Sequence, residues 1–300
     1  MILVKSALIN ESALTSSTIG EPDGAEIVWS AYTSVIGDRR INTTTHRIYE
    51  AVIVSTQDPA DGVNASPPTW VDVAPTNKWA MFDAVNNTLS NETTSLVVEI
   101  DTDTYIDSIA GFLISGVDSI NVTVTDPFEG EVYNTDVAMV DDSGVVDLYT
   151  YYYSPFVNIN KFALYDLPPY VNATITVTFT GATLSVGSLV VGNRINLGVA
   201  TMGSSRQLLD YSRFEEDSFG TLTVTTGRKA KLVNYDVTIP IDRIDYTYDT
   251  IESITTIPSV WSATDDVNDP RLVLGYYRNH LETFDNPSVV FTTIQVQGVV

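Results

Sequence analysis

Two stretches decide the fold: Ile120-Asn121-Val122-Thr123-Val124-Thr125 and Ile175-Thr176-Val177-Thr178-Phe179-Thr180. Apolar and polar residues alternate strictly in both. Successive side chains of a strand point to opposite faces, so each stretch has one apolar face and one neutral polar face. That is the pattern of a half-buried strand in an antiparallel sheet with one wet side. Similar short β-branched runs, set between turn residues, recur at 95–100, 221–226, 231–239, 272–278 and 289–296. The chain therefore reads as mainly β.

One stretch departs from period two. Its apolar positions are Ile241, Ile244, Tyr248, Ile251 and Ile254, a helical stripe between Pro240 and Pro258. Thr and Asp make it a weak helix former, so packing must hold it. One short helix is expected near 241–256. Three sections follow from the loops and the charge pattern. A terminal segment with a small β module covers 1–74, an antiparallel β-sandwich 75–191, and a β domain carrying the helix 192–300. No repeat of fixed period is present.

The chain has 300 residues, with 15 Lys and Arg against 38 Asp and Glu, a net charge of −23. Such a surface repels phosphate backbones and anionic membranes, so no nucleic acid and no membrane insertion is expected. Disorder is not implied, because 44% of the residues are apolar and 10% aromatic. Cysteine is absent, which excludes disulfides and thiolate chemistry. No apolar run approaches the ~18 residues of a membrane span. The opening Met1-Ile2-Leu3-Val4-Lys5-Ser6 places its base after a very short apolar run, the reverse of a secretory signal, so the amino terminus reads as mature.

Few residues suggest chemistry. Asp101-Thr102-Asp103-Thr104 with Asp107 resembles the opening of a calcium loop, but the glycine and closing glutamate of an EF-hand are missing. Asp101, Asp103 and Asp107 stand as a weak calcium candidate against a solvated loop. Asp265-Asp266 with Asp269, and Asp141-Asp142-Ser143-Gly144, read as turns. No carboxylate pair is marked out for glycoside hydrolysis. Phosphate loops, the G-x-S-x-G elbow and H-E-x-x-H are absent. His46 and His280 are read as structural. The sequons at Asn42, Asn64, Asn91, Asn121 and Asn172 are what an Asn- and Thr-rich chain yields by chance. No enzyme and no cofactor is expected.

Tyr149-Thr150-Tyr151-Tyr152-Tyr153 is the densest aromatic run. Read as a strand, it places Tyr149, Tyr151 and Tyr153 on one face. That stripe packs a core, leaving Tyr152 exposed, or it stacks on sugar rings or a protein neighbour. In the glycan reading Asp147 and Asn158 supply hydrogen bonds.

A family resemblance rests on Trp70-Val71-Asp72-Val73-Ala74-Pro75-Thr76-Asn77-Lys78-Trp79-Ala80-Met81-Phe82-Asp83. The stretch resembles a motif of tailed-bacteriophage virion proteins, where it follows a module similar to chitin-binding carbohydrate-binding modules. Here that module is marked by Ala31-Tyr32, Gly37-Asp38-Arg39, His46–Val52 and Trp70. Asp166-Leu167-Pro168-Pro169-Tyr170, Leu189-Val190-Val191-Gly192, Asp210-Tyr211-Ser212-Arg213, Asp217-Ser218-Phe219-Gly220 and Gly275-Tyr276-Tyr277-Arg278 follow in the same order, nearly to the end of the chain. The module's aromatics are only Trp29, Tyr32, Tyr49 and Trp70, some of which must form its own small core. The resemblance implies a virion protein of the tail, assembled in the host cytoplasm, and it carries no enzymatic chemistry. It implies partners in other tail proteins and in copies of the same chain, arranged as a ring. It also implies a galactose-binding-like sandwich, anchored by Trp79 and Phe82 with Asn77 capping the turn before them. The alternative is a module that recognises host-surface glycan.

Overall fold

The computed structural model describes residues 1–299 apart from 25, 84, 86, 102, 103, 142, 156, 217 and 285. Strands dominate. The chain opens with β1 (Ile2–Ser6) and β2 (Leu14–Ser17). A small module follows, made of β3 (Arg39–Asn42), β4 (Arg47–Ala51), α1 (Pro59–Gly62) and β5 (Trp70–Pro75). Next come β6 (Ser90–Glu92), β7 (Ser95–Asp101), β8 (Ser108–Phe112), β9 (Ser115–Asp126) and β10 (Gly130–Ala138). The short β11 (Val140–Asp141), α2 (Leu148–Tyr153) and β12 (Val157–Asn158) lead to β13 (Lys161–Leu164), β14 (Thr174–Val186) and β15 (Ser188–Asn196). The remainder holds β16 (Val199–Ala200), β17 (Ser205–Asp210), β18 (Arg213–Glu216), β19 (Leu222–Thr225), β20 (Lys229–Pro240), α3 (Ile244–Ser253), β21 (Ser259–Ser262), β22 (Val273–Thr283) and β23 (Val289–Gly298).

The alternating stretches meet in register. Ile120, Val122 and Val124 of β9 stand opposite Phe179, Val177 and Ile175 of β14. The same three residues of β14 face Leu96, Val98 and Ile100 of β7 on the other side. Three apolar rows result, all buried. The intervening residues form a polar outer face, where the Asn121 amide donates to Asn134 and Asp136 at 2.8 Å each. Strands β10, β9, β14, β7 and β2 form one antiparallel sheet in that order, with β6 also on β14.

A second sheet runs β13-β8-β15-β1-β21-β22-β23-β20-β16, with β17 also on β20. One face packs on the first sheet through Ile109, Phe162, Leu164, Leu189 and Val191, making a sandwich. Farther along, that face carries Leu3, Trp261, Val273, Tyr235 and Ile294 and is covered by Ile251 and Ile254 of α3. The opposite face buries Val4, Ala110, Ala163, Val190, Val260 and Leu274. The sheet curls around this last cluster. Ala163 donates to the Val267 carbonyl at 3.2 Å, and Lys161 Nζ donates to the carbonyls of Asp269 and Leu272 at 2.8 Å each. Burial pushes the Lys161 ammonium down to about 8, with Lys231 and Arg206 adding repulsion.

The sheets run across the expected section boundaries. Strand β1 pairs with both β15 and β21, so the first residues are built into the largest sheet. Residues 191 and 192 lie inside β15. Strands β3-β4-β5 form a separate three-stranded sheet, and β11-β12 and β18-β19 form two-stranded ones. The core of β3-β4-β5 is Tyr49, Ala51 and Trp70. Trp70 Nε1 donates to the Gln57 carbonyl at 3.1 Å.

The helix expected near 241–256 is α3, preceded by a 3-10 turn at Ile241–Arg243. Its buried stripe is Ile244, Thr247, Ile251 and Ile254, with Ile244 only partly covered. Ile241 and Tyr248, expected on that stripe, are exposed. Thr247 takes the inner position because its hydroxyl is satisfied by the Arg243 carbonyl at 3.0 Å. Two shorter helices, α1 and α2, were not foreseen from the sequence.

Candidate interaction surface

Trp79 and Phe82 lie where the small module meets the sandwich. Trp79 is 8% exposed and Phe82 partly buried against the same core. Their rings meet edge to face at 6.1 Å. On its other side Trp79 stacks on His46, with ring centroids 4.3 Å apart. Glu21 gathers this junction. Its carboxylate accepts from Thr76 Oγ1 at 2.8 Å and Trp79 Nε1 at 3.2 Å, and it bonds His46 Nδ1 at 2.8 Å. Asn77 does not cap its own turn, as had been expected. Its side chain reaches Asp23 and clasps Asn91, accepting from the Asn91 N–H at 2.8 Å and donating to the Asn91 carbonyl at 2.9 Å. The turn is closed by the Thr76 carbonyl, which accepts from Trp79 and Ala80. These residues hold the fold together.

Of the calcium candidate, Asp101 and Asp107 are described. Asp107 Oδ1 accepts from Arg194 N–H at 2.7 Å and from Ser108 Oγ at 2.8 Å. Asp101 ends β7 and takes part in its ladder. Asp103 lies outside the described residues. No three His, Asp or Glu gather into a metal site among the described residues. Asp269 is instead a loop organiser between β21 and β22. It is 1% exposed and accepts from Thr264 N at 3.0 Å, Thr264 Oγ1 at 2.8 Å and Arg271 N at 2.8 Å.

The tyrosine run is a helix, which corrects the strand reading. Asp147 and Thr150 form a reciprocal cap. Asp147 Oδ1 accepts from Thr150 N–H at 2.7 Å, and Thr150 Oγ1 accepts from Asp147 N–H at 2.9 Å. This box overrides the β-propensity of tyrosine, and Pro155 stops the helix one turn later. Hydrogen bonds from the Thr150 backbone and hydroxyl hold the Asp147 carboxyl below its usual value. The glycan reading used that carboxylate as a ligand group, but it is engaged in the cap. Side chains four apart share a helix face, so Tyr149 and Tyr153 pair at 4.8 Å, while Tyr151 and Tyr152 meet edge to face at 5.3 Å. None of the four is in the core; each is 66–73% exposed. Val146 and Leu148 beside them are exposed too. Helix α2 is carried at the end of the β11–β12 ribbon and has no buried residue. The stretch is an apolar arm.

A second arm leaves the large sheet after β17. Among the described residues, strands β18 and β19 pair only with each other, and every residue of both is exposed. The alternation at 221–226 had implied a half-buried strand. No second layer covers it among the described residues, so Phe214, Leu222 and Val224 face water. Phe219 at the tip is 93% exposed. At the root Gly227 is pinched, since a Cβ there would stand 2.2 Å from the Tyr211 carbonyl oxygen. Beside that root lies an open groove of about 560 Å³. Arg228, Lys229 and Arg278 line it together with Tyr211, Tyr276 and Gln297. Gln297 ties the wall together, accepting from Arg278 Nε at 2.8 Å and donating to Tyr211 Oη at 3.1 Å.

The arms escape a sequence reading because strand or helix propensity says nothing about whether a second layer exists. The one local signal for α2 was Asp147-x-x-Thr150 with Pro155, a cap and a stop. The groove had none, because its bases are up to 50 residues apart (Arg228 to Arg278).

No family model, curated protein or solved structure matches the chain.

Proposed function

We propose that the protein is a non-enzymatic structural component of a tailed-bacteriophage virion, in its tail, where copies assemble around the tail axis through the two apolar arms. The observation that carries this reading is the pair of arms, whose elements α2, β18 and β19 have no buried residue. An isolated two-stranded ribbon is marginal in water. Contiguous exposed apolar surface marks an interaction site. Apolar side chains are exposed elsewhere too, among them Val35, Ile36 and Val54 of the small module and Phe128, but on the arms they are gathered on elements that bury nothing. The phage assignment itself draws on the resemblance of the 70–83 stretch and the matches that follow it.

Glycan recognition is the second reading, and the exposure of all four tyrosines favours it. Against it, α2 is a projection, whereas sugar and small-molecule sites are concave.

Light scattering on the purified chain tests assembly. A mass of several copies is expected, falling to one copy when 146–153 is replaced by a Gly-Ser linker of equal length. A single-copy mass at all concentrations contradicts the proposal. The virion part is tested by electron microscopy of tailed particles from cells carrying the gene, decorated with antibody to the chain. Label on the tail is expected, and unlabelled particles contradict it. A glycan array that binds the chain, and loses binding with Tyr152→Ala, favours the second reading instead.

A further inference from the structure

We infer that a groove beside the β8–β9 turn binds a neutral carbohydrate. The groove holds about 480 Å³ and is lined by Asn87, Ser115, Asn160 and Ser185 together with Leu89 and Leu113. It includes none of the four tyrosines, and the inference goes beyond the assembly reading without depending on it. Ser115 of β9 and Ser185 of β14 stand opposite each other in the ladder, so their hydroxyls share one face. Asn160 follows β12 and is fixed to the turn through its carbonyl, which accepts from the Ile114 N–H at 3.0 Å. Leu113 makes the turn with a φ of 53°, a left-handed backbone that is costly for a bulky side chain. Gly187 leaves room for it, since a Cβ there would stand 2.5 Å from Leu113 Cβ.

The lining chooses the ligand. Charged residues make up 18% of the chain, yet none lines this groove among the described residues. An ion would lose water there and gain no partner. The side chains of Asn87, Ser115, Asn160 and Ser185 make no hydrogen bond within the chain among the described residues. A purely apolar ligand would displace their water and pair with none of them. Amides and hydroxyls both donate and accept, as sugar hydroxyls do. Leu89, 40% exposed, and Leu113 offer apolar surface to the C–H face of a sugar ring. Strand β14 is paired on both sides at Ser185, by Ser115 and Asn91, so it offers no free edge there to an extended peptide. The volume falls in the ~300–1,000 Å³ range of small-molecule sites. The net charge of −23 repels sulfated and sialylated sugars, which restricts the class to neutral ones.

Saturation-transfer NMR on the full chain tests the site. The probes are neutral oligosaccharides of glucose, galactose, mannose, rhamnose and N-acetylglucosamine, with sialyllactose as the anionic control. Signal is expected from a neutral sugar and not from sialyllactose. Asn87→Ala and Asn160→Ala are each expected to weaken that binding about fivefold, the loss of one hydrogen bond. Tyr152→Ala is expected to leave it unchanged. Thermal melting checks the fold of the variants, whose altered side chains are exposed in the parent. Asn160→Asp serves if the alanine variant unfolds, because a carboxylate cannot donate. Binding that Tyr152→Ala abolishes and the groove substitutions spare moves the site to α2 and overturns the inference. Silence across the neutral panel, or a stronger signal from sialyllactose, overturns it as well. Oligomeric mass, which tests assembly, is read separately and stands or falls independently of these results.

Discussion

Trp79 shows how one side chain can serve two layers. Its ring closes the sandwich core against Phe82 while its other face takes His46 from the small module. Trp79→Ala should therefore cost ~3–5 kcal/mol, as a large cavity in a core. Urea unfolding measures it, and an unchanged midpoint contradicts the placement. The W-x-x-F spacing was legible in the sequence. Glu21 was not, since its partners His46, Thr76 and Trp79 lie 25, 55 and 58 residues away. Asp269 is a second such residue. Burial opposes its charge, but hydrogen bonds from the Arg271 and Thr264 groups, with the Arg271 charge, hold the carboxyl below its usual 3.8. A folded value below the unfolded one gives stability that is full above pH 3.8 and is lost as the pH falls through the lower folded value. Asp269→Asn should be less stable than the parent near neutral pH, by ~2–3 kcal/mol as a broken buried network. The gap should narrow below pH 3.8. Melting followed against pH measures this, and a pH-independent gap contradicts it.

Among the elements, the paired strands were the most legible. Ile120, Val122 and Val124 alternate with Asn and Thr because one face of β9 is buried and the other wet, and the ladder to β14 puts apolar opposite apolar. Periodicity reports burial when a second layer exists. It misleads where none does, as with Leu222 and Val224 in the β18–β19 ribbon. The tyrosine run misled for a different reason. Tyrosine favours strands, but a capping box fixes the first turn of a helix whatever follows it. Because α2 buries nothing, its four tyrosines contribute little to folding, and in the proposed assembly they meet a neighbouring copy. Replacing Tyr149, Tyr151, Tyr152 and Tyr153 by Ser should leave the melting stability within ~0.5 kcal/mol of the parent, as for surface substitutions. The same variant should lose oligomers in light scattering. Large destabilisation without loss of oligomers contradicts that division of labour. Helix α3 is the opposite case, since Ile251 and Ile254 fill the second core.

At the scale of the molecule, the curled ten-stranded sheet unites both ends of the chain, through β1 beside β15 and β21. Section boundaries drawn from composition and charge miss this, because strand pairing joins residues nearly 200 positions apart, such as Ile2 and Asn196. The two arms project from this body and bury none of their own residues, while further apolar side chains such as Ile36, Val54 and Phe128 are exposed on the body itself. The proposed assembly is a closed ring of copies that meet through the arms. Single-particle electron cryomicroscopy of the purified full-length chain tests it most directly. The account predicts closed rings of identical copies, with α2 of each copy buried against its neighbour and Tyr149–Tyr153 inaccessible. Particles of a single copy with both arms in solvent, or open contacts that leave α2 exposed, would contradict it.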